Sequence, residues 1–402
     1  MYITLDLSPV VHRKAGLATY TKNIAAHVLQ AAVEQALPDI HFSAFHYDHI
    51  VKEPLQAPLN QLPCQTVAWP ARRWRLTVAL RTFIGMAMDE IVFGQANFPT
   101  QSRVFHATEH LLPPLAQAKS VFTFHDAIFA LFPKYHLPMN LLYLNTMMPR
   151  FLKRADAIIA VSECSKRDCV RLYNINPDKI RVIYEGVNPR YRPIHDPATQ
   201  AQVRQKYHLP PKFVLYLATI EPRKNLVALV EAYHALINTP PESLAHSDAQ
   251  TPAEQYHLVI AGKKGWLFQP VFDKVRELGL EDRVHFTDWV DDDDAPVMMS
   301  MADVFVFPSL YEGFGLPPIE AMACGVPVVC ANTSSLPEVV GEAGLLFDPN
   351  DRLGLTQALT RALFDTSLRT ELRARGPIQA AKFSWAKAAR ETLEVYHYVN
   401  TH

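Results

Sequence analysis

Two glutamates and a glycine-rich turn give the strongest indication of chemistry in this 402-residue sequence. The turn follows the apolar run Val304–Phe307, and two consecutive prolines after it favour the start of a helix. Glycines let backbone N–H groups approach a ligand, and a helix N-terminus attracts anions such as phosphate. Glu312 and Glu320 lie on either side of this helix start, where carboxylates can accept hydrogen bonds from sugar or ribose hydroxyls. The alternative is an ordinary helix start, whose dipole favours acidic residues.

A pair of cations gives a second indication. Arg223 and Lys224 follow the apolar run Phe213–Leu217 and precede a predicted helix. At the carboxyl end of a strand, two cations can neutralise the charge that develops on a leaving diphosphate. A solvated surface pair is the alternative, but cations at a helix start oppose the helix dipole, which favours a bound anion.

These motifs resemble those of the retaining glycosyltransferases of family 4, which have the GT-B fold. The densest match covers residues 302–346 and includes a Glu-x7-Glu pair and the run Ala-Met-Ala-Cys-Gly-Val-Pro-Val-Val from Ala321. The similarity also covers most of residues 1–30 and 120–290. The phrase Glu-Pro-Arg-Lys-Asn from Glu221 is most similar to mannosyltransferase-like members.

The resemblance implies a role for each of these residues. Glu312 would contact hydroxyls of the donor sugar, and Glu320 would bind the ribose of the nucleotide. Arg223 and Lys224 would hold the donor phosphates in place of a metal, so neither a metal nor a cofactor is expected. The backbone amides expected to face the diphosphate and the sugar are those of Gly313, Phe314, Gly315 and Leu316.

The resemblance also implies donor contacts elsewhere in the chain. His125 and Asp126 match a His-Asp pair that family members place against the donor sugar, although a structural role is the alternative for most histidines. Gly16 belongs to the loop after the first strand, where family members often have two glycines and this chain has Ala15 and Gly16. The nucleotide base would lie near Gly262, Lys263 and Val290.

Basic residues in the first half suggest how an acceptor is bound. A phosphorylated acceptor would find positive charge at Arg13, Lys14, Arg72 and Arg73. The last two open the run Arg-Arg-Trp-Arg, which precedes an amphipathic helix predicted at Leu76–Phe93. Two interpretations have equal weight: an ordinary surface helix, or a patch for anionic lipid or a phosphorylated acceptor.

Two other groups are interpreted as structural. The aspartates from Asp291 to Asp294 look like the D-x-D metal motif of GT-A transferases, but their position before a helix indicates N-capping and solvation. His106 and His110 have a zinc-like spacing without an obvious third ligand.

Composition excludes several classes of protein. The sequence is 49% hydrophobic and 20% charged, as is typical of globular chains rather than disordered ones or coiled coils. The net charge of −1 provides no field that would attract nucleic acid. There is no apolar run of the roughly 20 residues that span a bilayer, no signal-peptide pattern and no C-x-x-C pair among the five cysteines. We therefore expect a cytoplasmic protein, with peripheral contact at the inner membrane face as an option, and nothing indicates its oligomeric state.

The alternation of short β-rich runs with helical segments predicts an α/β fold of two doubly wound parallel sheets. We predict a Rossmann-like acceptor-side domain at residues 1–195 and a Rossmann-like donor domain at residues 205–383, joined by a proline-rich linker. The resemblance places these domains around a central cleft and returns the helix at residues 384–402 to the first domain. A polar, mobile surface insertion is predicted at residues 239–255. Strands are predicted at Tyr2–Leu7, Ile40–Phe45, Val104–His106, Val121–Phe124, Ala157–Val161, Ile180–Ile183, Phe213–Leu217, Leu258–Ala261, Val284–Phe286, Val304–Phe307 and Val328–Cys330.

The predicted activity is transfer of a hexosyl group to the hydroxyl of a glycan, sugar-phosphate or lipid-linked acceptor, with GDP-mannose as the first choice of donor. A UDP-glucose-dependent glucosyltransferase with a sugar-phosphate acceptor is the alternative, as in sucrose-phosphate synthase. Those enzymes, however, usually have Gly-Gly-Gln where this chain has Ala-Gly-Leu from Ala15. A nucleotide-sugar 2-epimerase and a non-catalytic glycan- or nucleotide-binding scaffold are alternatives of other classes.

Overall fold

The chain, in a computed structural model, is described over residues 1–47, 50–94, 103–238 and 253–402. These residues form two compact units, one of residues 1–186 together with 384–402 and the other of residues 187–383. Most of the insertion predicted at residues 239–255 lies outside the described residues. None of the helices in the described ranges has the length and apolar composition needed to cross a bilayer.

A parallel sheet forms the centre of the first unit. Its strands are β1 Tyr2–Asp6, β2 His41–Tyr47, β3 Cys64–Val67, β4 Arg103–Ala107, β5 Lys119–Phe124, β6 Ala157–Ala160 and β7 Ile180–Val182. The strand order is β3-β2-β1-β4-β5-β6-β7, and it reverses between β1 and β4, where Tyr2 lies opposite Arg103. Doubly wound sheets bind ligands outside the carboxyl ends of the strands on either side of such a reversal.

The second unit repeats this arrangement with six parallel strands. They are β8 Phe213–Leu217, β9 His257–Ala261, β10 Val284–Phe286, β11 Val304–Phe307, β12 Val328–Ala331 and β13 Leu345–Phe347. Their order is β10-β9-β8-β11-β12-β13, with the reversal between β8 and β11. The strands are almost entirely apolar because helices cover both faces of a parallel sheet.

Helices cover both sheets. They are α1 Ser8–Val11, α2 Ala15–Glu34, α3 Ala71–Ile84, α4 Asp89–Phe93, α5 Ile128–Leu131, α6 Pro138–Arg154, α7 Glu163–Tyr173, α8 Pro197–Tyr207, α9 Leu226–Ile237, α10 Gln269–Glu277, α11 Ala295–Met301, α12 Leu316–Ala323, α13 Leu336–Val340, α14 Arg352–Phe364, α15 Thr366–Ala380 and α16 Trp385–Thr401. The doubly wound α/β architecture predicted from the sequence is confirmed, although β3 and β13 were not predicted because each is a short strand at a sheet edge.

The prediction of one helix over Leu76–Phe93 is wrong, because the structure has two helices there. α3 ends at Ile84, since Gly85 adopts a left-handed conformation with φ of 70°. Within α3, Trp74 is fully buried and stacks on the ring of Tyr47 at a centroid distance of 5.4 Å. Trp74 therefore belongs to the core and not to a surface patch.

The C-terminal helix completes the core of the first unit. α16 packs against α2, and the hydroxyl of Tyr396 hydrogen-bonds with His106 Nδ1 at 2.6 Å. His106 Nε2 hydrogen-bonds with Thr123 Oγ1 at 2.8 Å. Burial lowers the pKa of His106 to about 3, so its ring is neutral. His106 is a structural residue that joins α16 to the sheet.

Candidate active site

Charged side chains meet where the sheet of the second unit reverses its order. β8 leads into a 3-10 helix, Pro222–Lys224, which carries Arg223 and Lys224. β11 leads into the turn that contains Glu312. The Leu310 N–H donates to the Arg223 carbonyl at 2.9 Å, so the loops after the two strands are in direct contact. This is the edge of a doubly wound sheet at which ligands bind.

Glu312 joins both cations. Its Oε1 accepts hydrogen bonds from Lys224 Nζ at 2.6 Å and from Ser309 Oγ at 2.5 Å, and its Oε2 accepts one from Arg223 Nη1 at 2.6 Å. Glu312 is 8% exposed and Lys224 is 6% exposed. The structure thus brings together three of the predicted site residues, although nearly 90 positions separate the glutamate from the cations.

Glu221 is a fourth member to which the sequence motif gave no role. Its Oε1 accepts from Arg223 Nε at 3.0 Å and from Arg223 Nη2 at 2.6 Å. Glu221 and Glu312 balance the charges of Arg223 and Lys224, so these four residues, the charged cluster, are neutral when all are ionised. The Glu-Pro-Arg spacing was visible in the sequence, but it did not show which way either side chain points.

Burial and charge act on Glu312 in opposite directions. Burial alone would raise its pKa, but the charges of Arg223 and Lys224 lower the pKa to about 2. Burial and the neighbouring charge of Arg223 lower the pKa of the Lys224 ammonium, against the attraction of Glu312. Glu312 is therefore an anion throughout the physiological pH range.

Two serines after β12 fix the glycine-rich turn. Ser334 Oγ accepts from the Glu312 N–H at 2.9 Å, and Ser335 Oγ donates to the carbonyls of Glu312 at 3.0 Å and Phe314 at 2.6 Å. Gly315 precedes α12 with φ of 112°, a backbone conformation that residues other than glycine rarely adopt. The backbone of residues 313–316 is thereby held at the start of α12. Both serines lie within residues 302–346, where the sequence resembles the family, but that resemblance gave them no role because they follow a different strand.

Glu320 lies on α12, next to a segment that the sequence suggested as a linker. The pKa of Arg190 is raised above its ordinary value. Burial alone would lower this pKa, but the nearby Tyr191, Asp292 and Glu320 outweigh burial. Arg190 Nη2 lies 3.4 Å from Asp292 Oδ2, and Arg190 Nε is buried without a hydrogen-bond partner among the described residues. Arg190 is a cation near the predicted ribose site that sequence reasoning missed, because it lies outside every recognised motif.

The loop after β9 lies against the loop after β8. The Gly262 N–H donates to the Asp288 carbonyl at 2.8 Å, and Gly262 has φ of 133°. A Cβ at this position would lie 2.0 Å from the carbonyl oxygen of Ala218. Close backbone approach therefore requires glycine here.

Lys263 and Val290, the other residues expected near the base, lie on the loops that follow β9 and β10. Lys263 Nζ lies 5.8 Å from the ring centroid of Trp289, which is 47% exposed. Val290, the residue after Trp289, is buried. An exposed indole beside a cation gives this loop pair a flat apolar surface on which a nucleotide base could stack.

Replacing Gly262 with alanine should destabilise the second unit by about 1–3 kcal/mol through strain alone, with a further cost from displacing the Ala218 carbonyl. Gly279→Ala is a matched control, because Gly279 has φ of 65° but has nothing within 4 Å of a Cβ. Thermal unfolding should show a clearly larger loss for Gly262→Ala. Equal losses for the two variants would mean that the loops separate freely and that close approach at Gly262 is unimportant.

In the first unit, His125 follows β5 and is largely buried. Its Nε2 hydrogen-bonds with the Thr108 carbonyl oxygen at 2.9 Å, and its Nδ1 lies 3.9 Å from Glu185 Oε1. The ring of Tyr20 packs edge-on against the imidazole at a centroid distance of 4.7 Å. Burial raises the pKa of Glu185, while His125 lowers it. Glu185 was missed because it follows β7, far from His125 in the sequence.

Asp126 and Gly16 lie at helix starts of the first unit. Asp126 Oδ1 accepts from the Ile128 N–H at 3.1 Å, at the first residue of α5. Gly16 is the second residue of α2, and a Cβ there would meet nothing within 4 Å. Space around the backbone therefore does not require glycine at position 16.

Lys14 belongs to a buried charged group at the carboxyl ends of β1, β2 and β4. Its Nζ donates to Glu109 Oε2, and the Tyr47 hydroxyl donates to Glu109 Oε1 at 2.8 Å. Burial would raise the pKa of Glu109, but Lys14 lowers it to about 2. Burial and the charge of Glu109 raise the pKa of Asp6 to about 7. The sequence indicated Lys14 alone, because its partners are distant along the chain.

The other predicted acceptor residues lie at the surface. Arg13 Nε is 3.3 Å from Glu53 Oε2. Arg72 and Arg73 are exposed at the start of α3, and the guanidinium of Arg73 lies 4.6 Å from the ring centroid of Trp69.

The expected N-capping by the aspartates from Asp291 to Asp294 is wrong. Asp294 precedes α11 without a capping hydrogen bond from its side chain. Its Oδ2 instead accepts from Lys206 Nζ at 2.6 Å, and Asp291 Oδ2 accepts from the same ammonium at 2.7 Å. Attraction to Lys206 outweighs capping here because one ammonium binds two carboxylates. Within the described ranges, no group of three or more His, Cys, Asp or Glu side chains could hold a metal ion.

Known proteins are similar to this chain in sequence and in fold. A family model for group 1 glycosyl transferases matches residues 199–379, and one for glycosyltransferase family 4 matches residues 43–191. O-antigen chain mannosyltransferase B of Escherichia coli is 37% identical over 294 residues, which are 73% of this chain and 74% of that protein. The serotype-specific mannosyltransferase WbdA of Escherichia coli is 36% identical over 245 residues, which are 60% of this chain but only 29% of that protein.

Among solved structures, sucrose-phosphate synthase from Thermosynechococcus elongatus matches with a TM-score of 0.72 and 22% identity, covering 99% of both chains. Identity this low shows a shared fold and not a shared substrate. The two doubly wound parallel sheets, together with the match to this solved structure, identify the fold as GT-B. The chain belongs to the group 1 glycosyl transferases, and it is a hexosyltransferase.

Proposed function

We propose that this hexosyltransferase is a retaining mannosyltransferase that takes mannose from GDP-mannose and transfers it to a hydroxyl of a glycan acceptor. The observation that carries the proposal is the charged cluster at the order reversal of the second sheet, beside the glycine-rich turn and the start of α12. The choice of mannose is supported by the two mannosyltransferase relatives.

The donor diphosphate would bind to Arg223, Lys224 and the backbone amides of residues 313–316. Lys224 Nζ has three N–H donors and uses one of them on Glu312, so it can also bond a phosphate oxygen. Arg223 is held by Glu221, Glu312 and the Tyr311 carbonyl, and its positive charge would attract the diphosphate. A carboxylate offers about four acceptor sites, and the described contacts of Glu312 use three of them. The remaining site on Oε2 would accept a hydroxyl of the donor sugar.

Further roles follow for the other donor residues. Glu320 would accept from the ribose hydroxyls, while Gly262, Lys263 and Val290 would lie beside the base. His125 would orient the sugar, held by its hydrogen bond with the Thr108 carbonyl. Asp126 and Gly16 would support the donor-facing loops of the first unit from the starts of α5 and α2.

The configuration at the anomeric carbon would be retained because the acceptor attacks on the same face of the sugar that the diphosphate leaves. The acceptor oxygen would form a bond to the anomeric carbon on the face from which the phosphate oxygen leaves, and that phosphate oxygen would take the acceptor proton. Arg223 and Lys224 would stabilise the negative charge that develops on the diphosphate. No protein nucleophile and no metal or cofactor takes part.

The acceptor would bind to the first unit, where Lys14 lies at the order reversal of the sheet and Arg13, Arg72 and Arg73 supply surface charge. We place the reaction in the cytoplasm. All five cysteines lie in the described residues and none of them forms a disulfide, as expected in a reducing compartment.

A thermal-shift panel tests the donor. GDP-mannose and GDP should raise the unfolding temperature more than UDP, UDP-glucose and ADP, because a ligand that binds the folded state stabilises it in proportion to its affinity. The anomeric configuration of the product, read by NMR, tests retention. A shift with UDP-glucose but not with GDP-mannose would replace the proposal with the glucosyltransferase alternative, and an inverted product would overturn the mechanism.

A further inference from the structure

Two helices of the first unit expose an unusual set of large apolar side chains. On α3 these residues recur with helical spacing, whereas Trp74 and Val78 on the other side are fully buried. Eight apolar side chains on and next to α3 and α6 are between 50% and 71% exposed: Leu76, Leu80, Phe83, Ile84, Met86, Leu137, Met139 and Leu142. Single exposed apolar residues are ordinary, but a contiguous group marks an interaction surface.

Side-chain contacts connect α3 and α6, N-terminal part to N-terminal part and C-terminal part to C-terminal part, so the two helices run in the same direction. Near their N-terminal ends, Arg75 Nη1 donates to Asn140 Oδ1 at 3.4 Å. Near their C-terminal ends, the guanidinium of Arg150 lies 4.4 Å from the ring centroid of Phe83. Side-chain contacts near both ends therefore link the two helices, and we call the eight exposed apolar side chains on and next to them the α3–α6 surface.

The two helices carry only positive charge. The cations are Arg72, Arg73, Arg75 and Arg81 on α3 and Arg150, Lys153 and Arg154 on α6, and neither helix contains aspartate or glutamate. The aliphatic parts of such side chains can lie along apolar neighbours while the charged ends reach outward. Apolar groups flanked by cations match the boundary between acyl chains and anionic headgroups.

We infer that the α3–α6 surface docks onto a membrane that contains anionic lipids. Charge complementarity favours this occupant over a second copy of the chain. A two-fold interface through the same face would bring the exposed cations of the two helices, Arg72, Arg73, Arg150 and Lys153, near those of the other copy without any carboxylate from these helices. The inference is independent of the donor and of the stereochemistry proposed above.

Cosedimentation of the full chain with vesicles tests the inference. The protein should bind vesicles of phosphatidylcholine mixed with phosphatidylglycerol, should bind phosphatidylcholine alone at least about tenfold more weakly, and should be released by salt. The double variant Leu80→Ser, Phe83→Ser should lose about tenfold or more in vesicle affinity, because both side chains leave the acyl boundary. These residues are exposed, so thermal unfolding should be nearly unchanged.

Leu353→Ser, Ile378→Ser is a matched control, since both residues are at least 66% exposed and lie in the second unit. This variant should bind vesicles as the wild type does. Equal binding to neutral and anionic vesicles, undiminished binding by Leu80→Ser, Phe83→Ser, or no binding at all would overturn the inference. The inference would also be overturned if sedimentation equilibrium showed a dimer that the variant Leu80→Ser, Phe83→Ser abolishes while its vesicle binding persists.

Discussion

Substituting Lys224 with methionine should lower the rate of sugar transfer by about 10²- to 10³-fold, the usual effect of removing one group that stabilises charge in a transition state. Lys224 Nζ lies 4.8 Å from the ring centroid of Phe307, so a methionine of similar length can pack in the same place. Glu312 keeps its hydrogen bonds from Arg223 and Ser309 in this variant. The second unit should therefore fold, and the loss should appear in kcat measured with saturating donor.

Lys274→Met is the control, because Lys274 is another lysine of the second unit that pairs with carboxylates, Glu231 at 3.5 Å and Glu277 at 2.8 Å, away from the charged cluster. Its transfer rate should equal that of the wild type. If Lys224→Met retained wild-type turnover, the charged cluster would be structural and the proposed site for the diphosphate would be wrong.

Replacing Glu312 with alanine should destabilise the second unit by about 3–5 kcal/mol, the usual cost of removing one partner from a buried ion pair. The variant leaves Lys224 buried without the carboxylate that it contacts at 2.6 Å. The pKa of Glu312 is lowered from 4.5 to about 2, so its stabilising effect is fully present above pH 4.5 and is lost as the pH falls towards 2. The stability difference between the wild type and Glu312→Ala should therefore be constant near neutral pH and shrink below pH 4.5. Urea unfolding at a series of pH values measures it.

Glu231→Ala supplies the comparison for this experiment. Glu231 Oε2 accepts from Arg352 Nη1 at 2.7 Å, and the Arg352 side chain is 65% exposed, so solvent weakens the pair. We expect a loss of about 1 kcal/mol or less. A cost for Glu312→Ala no larger than this, or one that stays constant down to pH 3, would show that burial does not strengthen the contacts of Glu312.

Local features of the site were predictable from the sequence. The glycine-rich turn, the two prolines and the following helix start are contiguous, and their backbone preferences act over a few residues. Arg223 and Lys224 could be placed at a strand end for the same reason. The doubly wound fold followed from the alternation of apolar runs and amphipathic segments, which depends on periodicity rather than on any one residue.

Contacts between distant strand ends were not predictable. Glu109 and Asp6 face Lys14 only because β1 and β4 are neighbours in the folded sheet, and no pattern in the sequence states that pairing. Ser334 and Ser335 support the glycine-rich turn for the same reason. The error at Asp294 has another cause, since an ammonium from α8 competes successfully with the backbone N–H groups that a cap would serve.

The return of α16 to the first unit affects how the chain folds while it is being synthesised. The first unit needs Tyr396 and its neighbours, yet all of residues 187–383 must leave the ribosome before that helix emerges. At about 5–20 residues per second this delay is roughly 10–40 s. During that time α2 and the face of the sheet at His106 lack their cover, so a nascent chain held at this stage should be a target for chaperones and proteases even after the second unit has folded.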